Sequence, residues 1–258
     1  MASNTLLNDK KVVILGGSSG IGKGVAKACL ENGASVVIAS SNQSKVDTAC
    51  ELLKKVVEGK SGITVSGQSF DIKDFAALTS FLTKEAPFDH LVITSGDSIG
   101  HLIAKGIAAD VDIREQLQST LDVRYWAVLN AANHVHKHGL LRPGGSLTMT
   151  LGILQARPMP GFGYLLGTAG AIETATRSLA LDLKPIRVNS ISAGLVDTEM
   201  TQEYPPEMRD QIFKTHIEKL PVAHVGTPEE VAEAYIFAMK CQYLTGQVIT
   251  VDGGGVLV

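Results

Sequence analysis

Cysteine is scarce in this chain: Cys29, Cys50 and Cys241 are the only three in 258 residues. Their odd number, wide separation and apolar surroundings argue against a disulfide framework or a zinc site, and fit buried thiols in a reducing compartment. No block of like charge is present either. The 23 basic and 26 acidic side chains leave a net charge of −3, with both signs scattered, so there is neither a basic stripe for a phosphate backbone nor an acidic tail. Nucleic acid is not an expected partner. No apolar run approaches the roughly 18 residues that a membrane helix needs, and the opening MASNTLLNDKK lacks the apolar segment of a secretion signal. No membrane partner is expected, and the location expected is cytoplasmic. A Pro/Ser-rich linker, an internal repeat and a low-complexity tract are missing too, so nothing in the composition divides the chain.

What is abundant points to one sizeable core. With 45% hydrophobic residues and 26 glycines, residues 1–258 are enough for a single α/β domain. Short β-branched runs recur at Val12 to Leu15, Val36 to Ala39, Ile63 to Phe70, Leu91 to Thr94, Ser146 to Thr150, Arg187 to Ser192 and Gln247 to Val251. Between most of them lie stretches with helical spacing. In the second, Val46, Ala49, Leu53 and Val56 form an apolar stripe, and Ser44 with Asp47 has the spacing of a capping box. Strands alternating with helices predict a parallel sheet covered on both faces, with ligands at the carboxyl ends of the strands.

The first strand runs into Gly16-Gly17-Ser18-Ser19-Gly20-Ile21-Gly22 and then into the helical stretch Lys23 to Glu31, so Gly16, Gly20 and Gly22 have a G-x-x-x-G-x-G spacing. Glycines there let backbone N–H groups and a helix N-terminus approach a pyrophosphate that side chains would block. A glycine trio alone is weak evidence, since a structural turn also explains it; its place directly after the first strand favours phosphate binding. The same residues satisfy G-x-S-x-G, which would make Ser18 a hydrolase nucleophile. That elbow normally follows several strands and needs no third glycine, so the hydrolase reading is rejected. At the end of the second strand, where a free ribose 2′-hydroxyl would call for an acidic residue, the sequence reads Ala39-Ser40-Ser41-Asn42. No carboxylate is there to repel a 2′-phosphate, and Ser40, Ser41, Asn42 and the nearby Lys45 can donate to one. NADP(H) is therefore preferred over NAD, although Ser40 to Asn42 are equally suited to capping the next helix.

Further segments follow in a recognisable order: Asp71-Ile72, Thr94-Ser95-Gly96, Arg187-Val188-Asn189, Ser192-Ala193-Gly194-Leu195-Val196-Asp197-Thr198, and Leu244-Thr245-Gly246-Gln247 through Asp252-Gly253-Gly254. With the glycine loop, they resemble the short-chain dehydrogenase/reductase family over nearly the whole chain. The resemblance implies a Rossmann-type, doubly wound parallel sheet of seven strands in three α/β/α layers. It implies that Gly16, Ser18, Ser19, Gly20, Ile21 and Gly22 form the cofactor loop, that Asp71 and Ile72 hold adenine, and that Thr94, Ser95 and Gly96 fall where the family has an Asn-Ala-Gly turn, with Ser95 and Gly96 against the cofactor. Gly194, Val196 and Thr198 belong to the segment that wraps nicotinamide, with Ala193 replacing the usual proline. The last helix, Val231 to Met239, and the final strand resemble the family's dimer and tetramer surfaces, so a homodimer or homotetramer is expected.

The family's chemistry rests on an Asn in a long central helix, a Ser after the fifth strand, and a Tyr and a Lys separated by three residues. Aligned inward from Gly145-Ser146-Leu147 and Arg177-Ser178-Leu179-Ala180, these positions hold Arg124, Gly152, Leu165 and Ala169. Tyr164 lies one residue before the family Tyr, and one step around a helix re-aims a side chain by about 100°; it is kept as a candidate proton donor. Loss of a general acid costs ordinary carbonyl reduction about 10² to 10⁴ in rate, or ~3 to 5 kcal/mol of barrier. Arg124 is the best substitute: a guanidinium orients a carboxylate, an enolate or a developing alkoxide without donating its proton. Hydride addition to a conjugated enone yields an enolate and fits such a group, whereas an iminium requires Arg124 to be paired. The plain alternative is an ion pair with Asp97 or Asp122. Asp97, directly after the Gly96 turn, is a further candidate for the pocket.

The string Arg157-Pro158-Met159-Pro160-Gly161-Phe162, with Arg124, also resembles a divergent branch of the family that includes fungal natural-product enzymes. Those enzymes reduce an iminium with NADPH and steer a Diels–Alder cyclisation; they carry Asp between the prolines and Trp after the glycine, where this chain has Met159 and Phe162. His134, His136 and His138 suggest a metal cluster by spacing, but lack a carboxylate or fourth ligand, and placement near a helix C-terminus explains them. No metal is expected. His101 is a candidate for a loop beside the substrate, and Glu199 to Val225, with Tyr204-Pro205-Pro206, for a substrate lid. The expected reading is an atypical NADP(H)-dependent oxidoreductase acting on a small hydrophobic metabolite. An isomerase or cyclase that uses the cofactor as scaffold, and a silent binding protein, stay open.

Overall fold

The computed structural model describes residues 7–97 and 112–258. Among them, β1 (Lys11–Leu15), β2 (Ser35–Ser40), β3 (Val65–Ser69), β4 (Phe88–Ile93), β5 (Leu141–Gly152), β6 (Arg187–Ala193) and β7 (Val248–Val251) form one sheet in the order β3-β2-β1-β4-β5-β6-β7. Every neighbouring pair is parallel. The chain winds outward one way to β3 and then returns beside β1 to continue through β4, so the carboxyl ends of β1 and β4 flank the crevice where such sheets take ligands. The helices are α1 (Gly20–Glu31), α2 (Gln43–Val56), α3 (Phe75–Glu85), α4 (Ile113–Leu121), α5 (Ala127–Lys137), α6 (Gly167–Asp182), α7 (Pro206–Lys219) and α8 (Pro228–Lys240).

Central strands read as apolar runs because both of their faces are covered. All six residues of β4 and all seven of β6 are buried. One core layer joins α1, α2 and α8 to one face of the sheet, with Val25, Leu30, Val46, Leu53, Val231 and Tyr235 among its buried side chains. The other, including Leu78, Phe81, Ala131, Val135, Ile172 and Leu183, joins α3, α5 and α6 to the opposite face. The three-layer arrangement is the one expected. Two polar residues inside β4 are satisfied: the Asp89 carboxylate accepts from Lys11 N–H at 2.9 Å, Lys10 Nζ at 3.1 Å and Arg142 Nη1 at 2.8 Å, and His90 Nδ1 lies 2.8 Å from Ser146 Oγ.

Several local expectations shift. Strand β3 begins at Val65, beyond Gly62, which has φ +83° and turns the chain ahead of it. Strand β5 begins five residues before Ser146, because Leu141 pairs with Phe88 and the register then slips before His90 pairs with Ser146. The cap of α2 is Asn42, whose Oδ1 accepts from Lys45 N–H at 2.9 Å, and not the Ser44–Asp47 pair, which lies inside the helix. A capping box does occur at α8, between Thr227 and Glu230. The expected lid contains a short 3₁₀ turn, Thr201–Glu203, and then α7.

Candidate functional site

The glycine loop is built by close approaches at the carboxyl ends of β1 and β4. Gly16 and Gly17 N–H groups donate to Ala39 O at 2.8 and 3.2 Å, tying the loop to β2. Gly16 has φ +91°, and a side chain on it would stand 2.6 Å from Ser95 N. Gly22 packs so closely on the Gly16 carbonyl and Thr94 Oγ1 that a Cβ would overlap both. Gly20, at φ +48°, faces Thr198, Ser18 is buried, Ser19 is the N-cap residue of α1, and Ile21 packs on the core. The glycines of the first turn of α1 thus carry no side chains of their own to block a phosphate from its N–H groups.

An anion already stands at this helix end. Glu199 Oε2 accepts from Gly20 N–H at 2.7 Å, and Glu199 Oε1 accepts from Lys23 Nζ at 2.5 Å. Partial burial works to raise the Glu199 carboxyl, but hydrogen bonds from Lys23, its own backbone N–H and Gly20 outweigh it, so the group lies below the usual range. The loop therefore fits a pyrophosphate on the strength of a stand-in carboxylate. At the end of β2, Ser40 is half-buried and Ser41, Asn42 and Lys45 are exposed. Asn42 spends its oxygen on the α2 cap, which leaves its amide nitrogen as a donor. Asp71 accepts from Lys73 N–H at 3.0 Å in a tight turn, and Ile72 packs on the core.

From β6 the chain crosses toward α1. A Cβ on Gly194 would lie 2.7 Å from Asp252 Cα, Val196 is buried and bridges to Gly226, and Thr198 N–H donates to Thr201 Oγ1 at 3.1 Å. Gly194, Val196 and Thr198 thus lead the backbone from the β6 end to the glycine loop.

Arg124 lies in a five-residue π-helical stretch, Asp122–Trp126, between α4 and α5. Its guanidinium covers Gly96, where a Cβ would come within 2.7 Å of Nη2, and Nη2 donates to the Asp97 backbone oxygen at 2.7 Å. The Asp97 carboxylate is turned to Ser119 Oγ at 2.8 Å, and that of Asp122 to Gln118 Nε2 at 2.9 Å. In place of the alternative ion pair there is a carbonyl contact, and the Arg124 Nε–H is buried with no partner among the described residues. Burial lowers the guanidinium pKa, and the nearby Asp97 carboxylate only partly offsets this.

Gly152, at the end of β5, is exposed, with φ −104° and only the Ala193 carbonyl oxygen near a Cβ, at 3.9 Å. Leu165 is buried with Phe162 in a small apolar cluster against Leu117, Leu154, Tyr164 and Leu166. Ala169 is half-buried in the first turn of α6. Met159 is exposed and Phe162 buried, so the position after Gly161 serves packing.

Over residues 2–258 the sequence matches the family described as an SDR-like rossmann domain. It is 32% identical to short-chain dehydrogenase/reductase ucsE from Acremonium sp, with all of both chains covered. The chain belongs to the short-chain dehydrogenase/reductase family. Among solved members, MalC reductase/Diels–Alderase from Malbranchea aurantiaca superposes with TM-score 0.90 at 31% identity, covering 99% of each chain. A small-chain dehydrogenase in complex with NADPH superposes with TM-score 0.75 at 31% identity, covering 97% of this chain and 100% of that one.

Within this short-chain dehydrogenase/reductase frame, the structure gathers Gly16 to Gly22, Ser95, Gly96, Arg124 and Thr198 around the β1–β4 crevice. His101 lies outside the described residues. His134 is drawn to Thr83 Oγ1 at 2.8 Å and stacks 4.5 Å from the His138 ring, and among the described residues no group of His, Cys, Asp or Glu is disposed to hold a metal ion. No described helix is long and apolar enough to cross a membrane. The sequence places Thr94 in the turn and Glu199 at the start of the lid, but not their contacts: Thr94 Oγ1 donates to Leu15 O at 3.1 Å beneath the glycine loop, and Glu199 reaches the loop itself. Gln155, which no motif singles out, donates to Ser192 Oγ at 3.3 Å while its Oε1 is buried without a partner among the described residues.

Proposed function

We infer that the chain is an NADP(H)-dependent oxidoreductase with a non-standard active site, acting on a small, largely apolar organic metabolite in specialised metabolism. The observation that carries this is Arg124: a buried guanidinium whose Nε–H has no partner among the described residues, set against Gly96 just past the carboxyl end of β4. The glycines of the first turn of α1 and the carboxylate-free end of β2 support NADP(H), as does the similarity to a dehydrogenase that binds NADPH. The nicotinamide supplies hydride when bound. The chain's own residues do the rest: Gly20 and Ile21 N–H groups receive pyrophosphate, Ser41, Asn42 and Lys45 receive a 2′-phosphate, and Arg124 orients an oxyanion without giving up a proton. A polarised enone, whose reduction leaves an enolate, fits that charge better than an isolated iminium.

A second reading has the cofactor as scaffold for a cyclisation. The apolar cluster of Phe162 and Leu165 and the likeness to a reductase/Diels–Alderase favour it. Stoichiometric NADPH consumption with enone substrates separates the two. In the reductase reading, Arg124→Ala lowers kcat/KM about 10²-fold, as loss of one preorganised oxyanion donor does, and Arg124→Lys recovers only part of it. Unchanged turnover in Arg124→Ala removes the residue from the mechanism, and tight NADPH binding without hydride transfer to any product supports the scaffold reading.

A further inference from the structure

Glu199 makes two charge-assisted contacts that nothing in the fold requires. It is not inside a helix, it caps no helix of its own, and it is 179 residues from Gly20 in sequence, yet its carboxylate sits on the first N–H of α1 and on the Lys23 ammonium. A pyrophosphate seeks the same things: free N–H groups, the positive end of a helix dipole and a nearby cation. A side chain on Gly20 would meet Thr198, the residue before Glu199, so the carboxylate is carried on the segment expected to cover nicotinamide. Beyond Glu199 the same chain continues into the 3₁₀ turn and α7.

We propose that Glu199 is a built-in competitor for the cofactor's phosphates, a latch that holds the Thr198–Glu203 segment against the glycine loop until NADP(H) displaces it. This rests on the NADP(H) reading above. Two anions cannot share the Gly20 N–H, and a carboxylate left beside a pyrophosphate is repelled by it. Cofactor binding therefore breaks the Gly20 and Lys23 contacts and releases the chain leading into α7, so the cofactor enters before the segment can close over a substrate. Lys23, freed of its carboxylate, is left as a cation for the phosphates.

The test is NADPH binding, followed by the nucleotide's fluorescence, in the wild-type chain and in Glu199→Gln, which keeps the shape and removes the charge. The latch predicts binding about threefold to tenfold tighter in the variant, the scale of one partly screened charged contact. It also predicts that thermal unfolding of the variant without nucleotide shifts down while the NADPH-bound midpoint does not. Glu199→Asp, whose shorter side chain keeps the charge but cannot reach both partners, tightens NADPH as well. Wild-type binding with equal or weaker affinity in Glu199→Gln overturns the latch alone. Failure of the wild-type chain to bind NADPH overturns the cofactor assignment, and the latch with it.

Discussion

Gly152 has room for a side chain. Its backbone is extended, and among the described residues the nearest atom to a Cβ is 3.9 Å away, so the glycine at the position where the family resemblance leads one to expect a serine is not a steric requirement of the described fold. Gly22 and Gly16 are the contrast, since any Cβ there meets backbone. Restoring the hydroxyl should therefore be tolerated: Gly152→Ser leaves stability unchanged or raises it by about 0.4–1 kcal/mol through a less flexible unfolded chain, as read from denaturant unfolding. Because Leu165 and Ala169 still supply neither acid nor cation, the same variant gains no ordinary carbonyl reductase activity. A clear loss of stability would show that Gly152 is structural. The residue scale also marks where sequence reading stops. The expectation that Arg124 stands at the family's Asn position comes from motif spacing alone. That its guanidinium meets the Asp97 carbonyl while the carboxylate turns to Ser119 depends on a π-helical turn and a contact 27 residues away in sequence, and no local pattern encodes either.

At the scale of elements, the sequence was readable wherever one signal dominated. β-branched runs gave six of the strands to within a few residues; for the buried β1, β2, β4 and β6 this is because strands covered on both faces leave little ambiguity. Strand β5 started early because its first pair with β4 precedes a register slip, which is a property of two strands together. The α2 cap had two candidates in the sequence: Ser44 and Asp47 have the right spacing, but Asn42, within the Ser40 to Asn42 alternative, has the extended backbone, φ −115° and ψ 115°, that an N-cap needs. The two assignments separate by mutation in the absence of nucleotide. Asn42→Ala should cost about 1 kcal/mol by losing the bond to Lys45 N–H, and Ser44→Ala should stay within about 0.5 kcal/mol. Equal losses in urea unfolding would mean that Ser44 shares the cap.

At the scale of the whole molecule, stability depends on pH through the middle of the sheet. His90, on the central strand β4, is pushed down to about 3 by burial and then by the Arg187 charge, against the opposing pull of Asp89. In the unfolded chain an unconstrained histidine takes up its proton near pH 6.5. Between about pH 6.5 and 3 the unfolded state therefore binds a proton that the native state refuses, and stability falls as the pH is lowered, by up to about 1.4 kcal/mol per unit. Asp89 acts in the same direction but later. Burial raises its carboxyl, while the Lys11 N–H, Lys10 and Arg142 more than reverse that, so its contribution is whole above the unfolded carboxylate range and is lost only as the pH drops through the lowered native value. The two windows can be told apart. The thermal midpoint should decline steadily from pH 6.5 to 4.5, where Asp89 is still ionised, and His90→Asn, which can keep a hydrogen bond to Ser146, should flatten that decline even if it lowers the midpoint throughout. Parallel curves for the two proteins over that range would show that acid sensitivity arises elsewhere. The expected slope follows from the buried neutral imidazole tying β4 to β5, a pairing that must stay uncharged for the centre of the sheet to remain closed.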